Sequence, residues 1–376
     1  MPKVLIFGAT PSQGGIETFV LNICKVMQGL ADIYLYNFSN QPLAYNDIFK
    51  KKYNVKILDV VTPNSRLGHF TRKAQYKKFF KENQFDVVHI NANSPSNCDF
   101  AAAAIKTGAK VIYHSHNDNA ESFTITESNE LLINYVRKLQ KRKLARLNVV
   151  KVAVSDNAAK WMFEKHENVK IIPNGVDFEK NKFSDIKRLE GRKRLNINPD
   201  DKVLIAASRL TKQKNFSKIL TISKNAIENE VVQKLVIIGN GSEMQRIQDV
   251  IYSFPLTVQQ NIHLVGAQND MQMWYSLGDS LIMPSLYEGL PYSILEAQAN
   301  GLECFISRAI PEQAIISREL MHFNDINDAD EIWVNHIAEY VGKDREREVG
   351  YLKAMQSEYS LMKFKNVIES IYSVEY

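Results

Sequence analysis

Short β-branched apolar runs recur along this chain, each followed by a stretch of helical periodicity, and the scheme is played through twice. In the first half the runs fall at residues 4–7, 33–37, 55–58, 87–90, 111–114, 152–154 and 169–172, with helical stretches notably at 16–27 and 72–81. In the second, runs at 203–207, 235–238, 262–265, 280–283 and 304–306 alternate with helical stretches at 216–228, 242–253, 271–277 and 293–299. Unbroken apolar runs mark strands buried on both faces, as in parallel sheets covered by helices. The alternation therefore predicts an α/β chain of two doubly wound, Rossmann-like domains. With 376 residues there is length for both. The expected parts are domains at 1–180 and 181–358, then a tail at 359–376 whose amphipathic pattern over 361–372 reads as a helix. The polar stretch 177–201, with Pro199, is the expected linker. Such sheets bind ligands beyond the carboxyl ends of their strands, so a cleft between the domains is the expected site.

Composition narrows the setting. No run of 18 apolar residues occurs, so no membrane-spanning helix is expected. The apolar segment at 4–7 is too short for a signal peptide and reads as a first core strand. Cys24, Cys98 and Cys304 are scattered without metal-ligand spacing, which suits buried small residues in a reducing cytoplasm. The expected location is cytoplasmic, at most peripheral on the inner face of the cell membrane.

Charge is uneven. Residues 1–180 hold 25 Lys and Arg against 16 Asp and Glu; the rest holds 22 against 26. The first half is therefore expected to meet something anionic. Basic and aromatic residues interleave over 72–81, and seven more basic residues lie within 137–151. Both patterns fit solvated helix faces; both also fit a footprint on an anionic membrane, where each cation contributes roughly 1 kcal/mol. No nucleic-acid motif accompanies the charge, so nucleic acid is not an expected partner.

The richest stretch for chemistry is Pro284-Ser285-Leu286-Tyr287-Glu288-Gly289-Leu290-Pro291-Tyr292-Ser293-Ile294-Leu295-Glu296-Ala297. It follows an apolar run and reads as strand, tight turn, helix. Pro291 suits the first turn, where its missing N–H has no partner to lose. The opening N–H groups of that helix favour an anion such as a phosphate. Glu288 in the loop and Glu296 about a turn inside the helix are acceptors suited to hydroxyls. A sugar carried on a phosphate is the implied ligand.

Here the sequence resembles the retaining glycosyltransferases of family four, bacterial capsular and exopolysaccharide enzymes among them, which have the two-domain GT-B fold. The resemblance implies that Glu288 contacts the donor sugar and Glu296 the nucleotide ribose. Ser208-Arg209-Leu210-Thr211-Lys212-Gln213-Lys214-Asn215 ends a core strand. An Arg there can clamp phosphate oxygens bidentately and a Lys can act as a point charge. The Arg-Leu-x-x-x-Lys pattern resembles the family's diphosphate-binding pair, which assigns Arg209 and Lys214. In His114-Ser115-His116-Asn117, His114 reads as structural. By resemblance His116 approaches the donor sugar or acceptor, with Asn117 beside it.

Glycine turns open three more helices or loops: Gly14-Gly15, Gly239-Asn240-Gly241 and Gly266-Ala267-Gln268. Gly14 and Gly15 let backbone approach a ligand, although the run is not a dinucleotide fingerprint. The family has its phosphate- and acceptor-facing loop there, and the resemblance puts Gly239, Gly241 and Gly266 beside the nucleotide. Gly289 and Leu290 belong to the donor loop.

The chain departs from the family at Glu303-Cys304, where small apolar residues are usual, and at Arg308, where an acid often follows the Ser. The expected function is transfer of a hexosyl residue from a nucleotide-diphosphate sugar, UDP above all, to a glycan or lipid-linked acceptor in bacterial surface polysaccharide synthesis. No metal or other cofactor is expected. The alternatives are a nucleotide-sugar epimerase of the same fold and a non-catalytic sugar-nucleotide-binding subunit.

Overall fold

The structure, a computed structural model, describes residues 1–39, 41–60, 68–116, 130–165, 167–343 and 346–373. It divides into two compact units, Met1–Gly175 with Leu361–Tyr376, and Val176–Ser360. In the first, β1 (Lys3–Phe7), β2 (Asp32–Asn37), β3 (Lys56–Asp59), β4 (Val87–Ala92), β5 (Lys110–Ser115), β6 (Val150–Ala153) and β7 (Lys170–Ile171) form a parallel sheet in the order β3-β2-β1-β4-β5-β6-β7. In the second, β8 (Val203–Ala207), β9 (Lys234–Ile238), β10 (Ile262–Gly266), β11 (Ser280–Met283), β12 (Glu303–Ser307) and β13 (Met321–Asn324) form another, in the order β10-β9-β8-β11-β12-β13.

The unbroken apolar runs now have their reason. Along β1, Val4 and Ile6 join one core with Phe19 and Ile23, while Leu5 and Phe7 join the opposite core with Phe80 and Phe100. Along β8, Leu204 and Ala206 face one side and Val203, Ile205 and Ala207 the other. Strand order reverses between β1 and β4 and between β8 and β11. At such a reversal the connections leave on opposite faces of the sheet, opening a crevice at the carboxyl ends.

Helix Leu361–Tyr372 belongs to the first unit. It packs Phe364, Ile368, Ile371 and Tyr372 into the core that contains Phe19, with the Phe364 ring 5.3 Å from the Phe19 ring.

One expectation needs correction. Residues 177–201 are not a linker: helix Asp185–Arg194 folds there and belongs to the second unit. Arg188 and Arg192 reach Asp279 at 2.6 and 2.9 Å, and Arg192 is buried. Those two guanidinium charges are satisfied by protein, so their polarity gave a false reading of solvent. Over residues 72–81 the basic–aromatic interleave separates by side: Phe79 and Phe80 are core residues, whereas Lys77, Lys78 and Lys81 are exposed. Phe79 and Phe80 of that helix, Gly68–Glu82, are thus committed inward. Strand β13 had no sequence signal, because His322 and Asn324 interrupt its apolar residues.

Candidate active site

The reversal in the second sheet brings together the two loops richest in chemistry. Residues 208–215 leave β8 and residues 284–291 leave its neighbour β11. The Leu286 N–H donates to the Gln213 carbonyl at 2.8 Å, lacing one loop to the other. Lys214 Nζ then lies 2.5 Å from Glu288 Oε1, with side chains 11% and 6% exposed. Gln213 Nε2 donates to the Tyr287 carbonyl at 2.8 Å and reaches Glu288 Oε2 at 3.5 Å. An ion pair so withdrawn from water persists only when good geometry and extra hydrogen bonds offset desolvation, and Gln213 supplies the latter. An ammonium has three donors, so contact with Glu288 leaves capacity for a ligand. Arg209 is exposed and makes no ion pair among the described residues.

The glycines after β9 carry a packing duty. A Cβ on Gly239, whose φ is +143°, would sit 1.9 Å from the Ser208 carbonyl oxygen, and one on Gly241 2.3 Å from that of Leu210. The Leu210 N–H donates to Asn240 O at 3.0 Å, and Gly239 N–H to Gly266 O at 2.9 Å. Only glycine permits this approach, and through it the turns at 239–241 and 266 support the arm that carries Arg209.

Beyond Gly289 and Leu290, both half-buried, Pro291 takes the N-cap position of helix Tyr292–Ala299, and no side chain caps that terminus. Its first N–H groups are left for other acceptors. Glu296, on the same helix, accepts from the Tyr275 hydroxyl at 2.9 Å. Burial raises its pKa to about 7, outweighing the Tyr275 hydrogen bond, which acts in the opposite direction.

In the first unit, Gly14 is the N-cap of helix Gly15–Val26, again without a side-chain cap. Buried Glu17 accepts from the Thr10 N–H at 2.9 Å and its hydroxyl at 2.7 Å, fixing the loop that precedes Gly14. His116 follows β5 and is half-buried, its Nε2 2.8 Å from Asn91 Oδ1. His114 is fully buried, its Nδ1 3.1 Å from His89 Nε2; His89 Nδ1 is 2.8 Å from the Tyr372 hydroxyl. Burial first, and mutual proximity second, lower the pKa of His114 and take His116 to about 3; burial alone takes His89 to about 3. All three are neutral imidazoles at pH 7. Asn117 lies outside the described residues.

The departures at 303 and 308 differ in kind. Glu303 is buried at the amino end of β12, away from the carboxyl-end loops, with Oε2 2.5 Å from His322 Nε2 on β13. The acid is thus accommodated within the sheet. Arg308 is exposed directly after β12, on the carboxyl side. Cys24, Cys98 and Cys304 are buried free thiols. Among the described residues no group of three or more His, Cys, Asp and Glu side chains could hold a metal, and no helix is long and apolar enough to cross a membrane.

Sequence reasoning missed Gln213, Tyr275 and Asn91, the residues that hold the expected ones. Asn91 alone left a signal, a polar residue ending the apolar run of β4. Tyr275 lies in helix Met271–Leu277, which is buried throughout from Met273 onward, and reads simply as core.

Residues 13–180 match the family model "Glycosyltransferase Family 4", and residues 187–321 the model "Glycosyl transferases group 1". The UDP-Gal:alpha-D-GlcNAc-diphosphoundecaprenol alpha-1,3-galactosyltransferase of Escherichia coli is 27% identical over 66% of each chain. EpsF of Bacillus subtilis, whose name marks it as a glycosyltransferase, is 26% identical over 87% of this chain and 84% of its own. Among solved structures, Anabaena HepE in complex with UDP matches with a TM-score of 0.77 at 15% identity, covering 98% of this chain and 99% of that one. WaaG, a glycosyltransferase involved in lipopolysaccharide biosynthesis, matches with a TM-score of 0.67 at 13% identity, over 99% of this chain and 100% of that one. Fold likeness and the two family matches lead to one assignment: the chain is a glycosyltransferase of GT-B fold and belongs to family four, the group 1 glycosyltransferases.

Proposed function

We propose that this enzyme is a retaining, metal-independent hexosyltransferase that uses a UDP-sugar and a lipid-linked glycan acceptor in bacterial surface polysaccharide synthesis. The observation that carries the reading is the Lys214–Glu288 pair beside an uncapped helix N-terminus, at the switch point of the second sheet. Departure of a nucleoside diphosphate builds negative charge on its phosphate oxygens. Arg209, the spare N–H groups of Lys214 and the backbone N–H groups opening helix Tyr292–Ala299 neutralise that charge without a divalent cation, the kind of preorganised electrostatics that dominates many enzymes. Glu288 takes a donor-sugar hydroxyl, Glu296 the ribose, and Gly289 and Leu290 present the loop backbone. In the first unit, Gly14 and Gly15 face the donor phosphates and acceptor, and His116 a sugar. The acceptor hydroxyl attacks from the face the diphosphate leaves, and a phosphate oxygen receives its proton.

Uridine as the donor's nucleoside is supported by the HepE complexes with UDP and UDP-glucose, and a lipid-linked acceptor by the name of the Escherichia coli relative. A peripheral membrane site on helix Glu130–Ala145 is favoured by Tyr135, Val136 and Leu139, which are 61%, 43% and 44% exposed among basic residues. Arg137 lies 4.2 Å over the Trp161 ring nearby.

The test is to incubate the purified enzyme with a panel of nucleotide sugars, with and without membrane extract and with EDTA. Extract-stimulated UDP release that survives EDTA, with the product's anomeric configuration matching the donor's, is the expected outcome. Isomerised donor without acceptor would instead mark an epimerase, and inverted product would overturn retention.

A further inference from the structure

We propose that Asn91 fixes His116 as the Nε2–H tautomer, leaving Nδ1 as the ring's sole hydrogen-bonding atom for a ligand hydroxyl. The assignment follows from which groups can only accept. Asn91 Nδ2 lies 3.2 Å from the Phe7 carbonyl oxygen, which has no proton to give. The amide NH2 must therefore face Phe7, and Oδ1 must face His116 at 2.8 Å. An amide oxygen also only accepts, so the proton in that contact belongs to His116 Nε2. Asn91 is 2% exposed, so water does not compete for its amide.

The ring is held elsewhere by contacts that carry no charge. The Phe19 ring meets it edge-on at 4.7 Å, and the His114 ring lies 4.2 Å away. The titratable groups around it are His114 of β5, His89 of β4 and, through His89, Tyr372 of the last helix. Burial keeps the imidazoles neutral. His116 Nδ1 has no hydrogen-bond partner among the described residues.

A neutral ring with its one N–H committed to protein has only a lone pair to offer. It accepts from a sugar hydroxyl and repels a phosphate oxygen or carboxylate. Asn91 is a positioning residue: it acts through His116 and selects a hydroxyl over an anion. The inference rests on the reading of His116 as a sugar contact, but the tautomer itself is testable without it.

The experiment is two-bond 1H–15N correlation of the full chain labelled with 15N-histidine at pH 7, with His116 identified by the signal lost in His116→Gln. The expected spectrum has a pyrrole-type Nε2 and a pyridine-type Nδ1, and Nδ1 shifts on addition of UDP-glucose or UDP-galactose with membrane extract. Asn91→Leu should give mixed tautomers and about tenfold lower kcat/KM, the loss of one hydrogen bond. Asn91→Asp, which retains an acceptor, should keep the proton on Nε2. A wild-type Nδ1–H tautomer, or an unchanged tautomer in Asn91→Leu, overturns the proposal. If Asn91→Leu does not fold, the wild-type spectrum still decides. An unmoved Nδ1 during measurable sugar transfer overturns the hydroxyl contact. Absence of any transfer with the predicted tautomer intact counts against the proposed function instead.

Discussion

Lys214 and Glu288 stand 74 residues apart in sequence, yet the ammonium and carboxylate meet at 2.5 Å. Neither side chain is more than 11% exposed, so removing one leaves the other charged and poorly solvated. Lys214→Met should destabilise the fold by ~3 kcal/mol or more in urea unfolding. The double variant Lys214→Met/Glu288→Leu should recover most of that stability while remaining inactive. Equal stability of single and double variants would disprove the coupling.

Arg209 presents the opposite case. It is exposed and unpaired among the described residues, so Arg209→Ala should change stability by no more than ~0.5 kcal/mol. Turnover should nevertheless fall by roughly two orders of magnitude, as for loss of one donor to a developing anion. Near-normal turnover would remove Arg209 from the proposed diphosphate site.

Glu296 ties nucleotide binding to pH. Its pKa rises from 4.5 to about 7 on burial. An acid with a raised folded pKa stabilises nothing above its unfolded value; it lowers stability progressively as pH climbs from about 4.5 to 7. The full effect is roughly 3 kcal/mol at most. Glu296→Gln should therefore melt higher than wild type at pH 8 and nearly level with it at pH 4.5. Accepting a ribose hydroxyl favours the ionised form, so UDP-glucose affinity of the wild type should rise between pH 6 and 8 and stay flat in the variant. Calorimetry showing parallel profiles would rule out the ribose contact.

Helix Glu130–Ala145 should carry membrane binding, and the lysines of 72–81 much less. Tyr135→Ser with Leu139→Ser should reduce co-sedimentation with phosphatidylglycerol vesicles severalfold, and raised salt should do the same, because the attraction is screened within a Debye length of about 8 Å at physiological ionic strength. Equal retention by the double variant would exclude the helix as the anchor.

What was legible beforehand follows from physics that is local in sequence. Apolar runs such as those of β1 and β8 betray burial on both faces, so the two-sheet α/β fold could be read directly. The turn into helix Tyr292–Ala299 was legible because Gly289, Leu290 and Pro291 constrain backbone at short range. Contact between Lys214 and Glu288 was not, since it depends on β8 and β11 being neighbours, a matter of strand order. Tyr275 was invisible, and Asn91 left only a faint trace, for a related reason: each acts on a residue from another segment. Residues 177–201 misled because a charge paired inside protein, as in Arg192 with Asp279, is spelled like one in water.

The first unit closes its core with helix Leu361–Tyr372, so it is assembled from both ends of the described chain. During synthesis the ribosome delivers Phe19 and His89 long before Phe364 and Tyr372, with the whole second unit emerging in between. Until translation passes residue 372 the nascent first unit carries an open apolar trough where those side chains will sit. Chaperone occupancy of stalled nascent chains should accordingly persist past residue 360 and drop only when that last segment clears the exit tunnel.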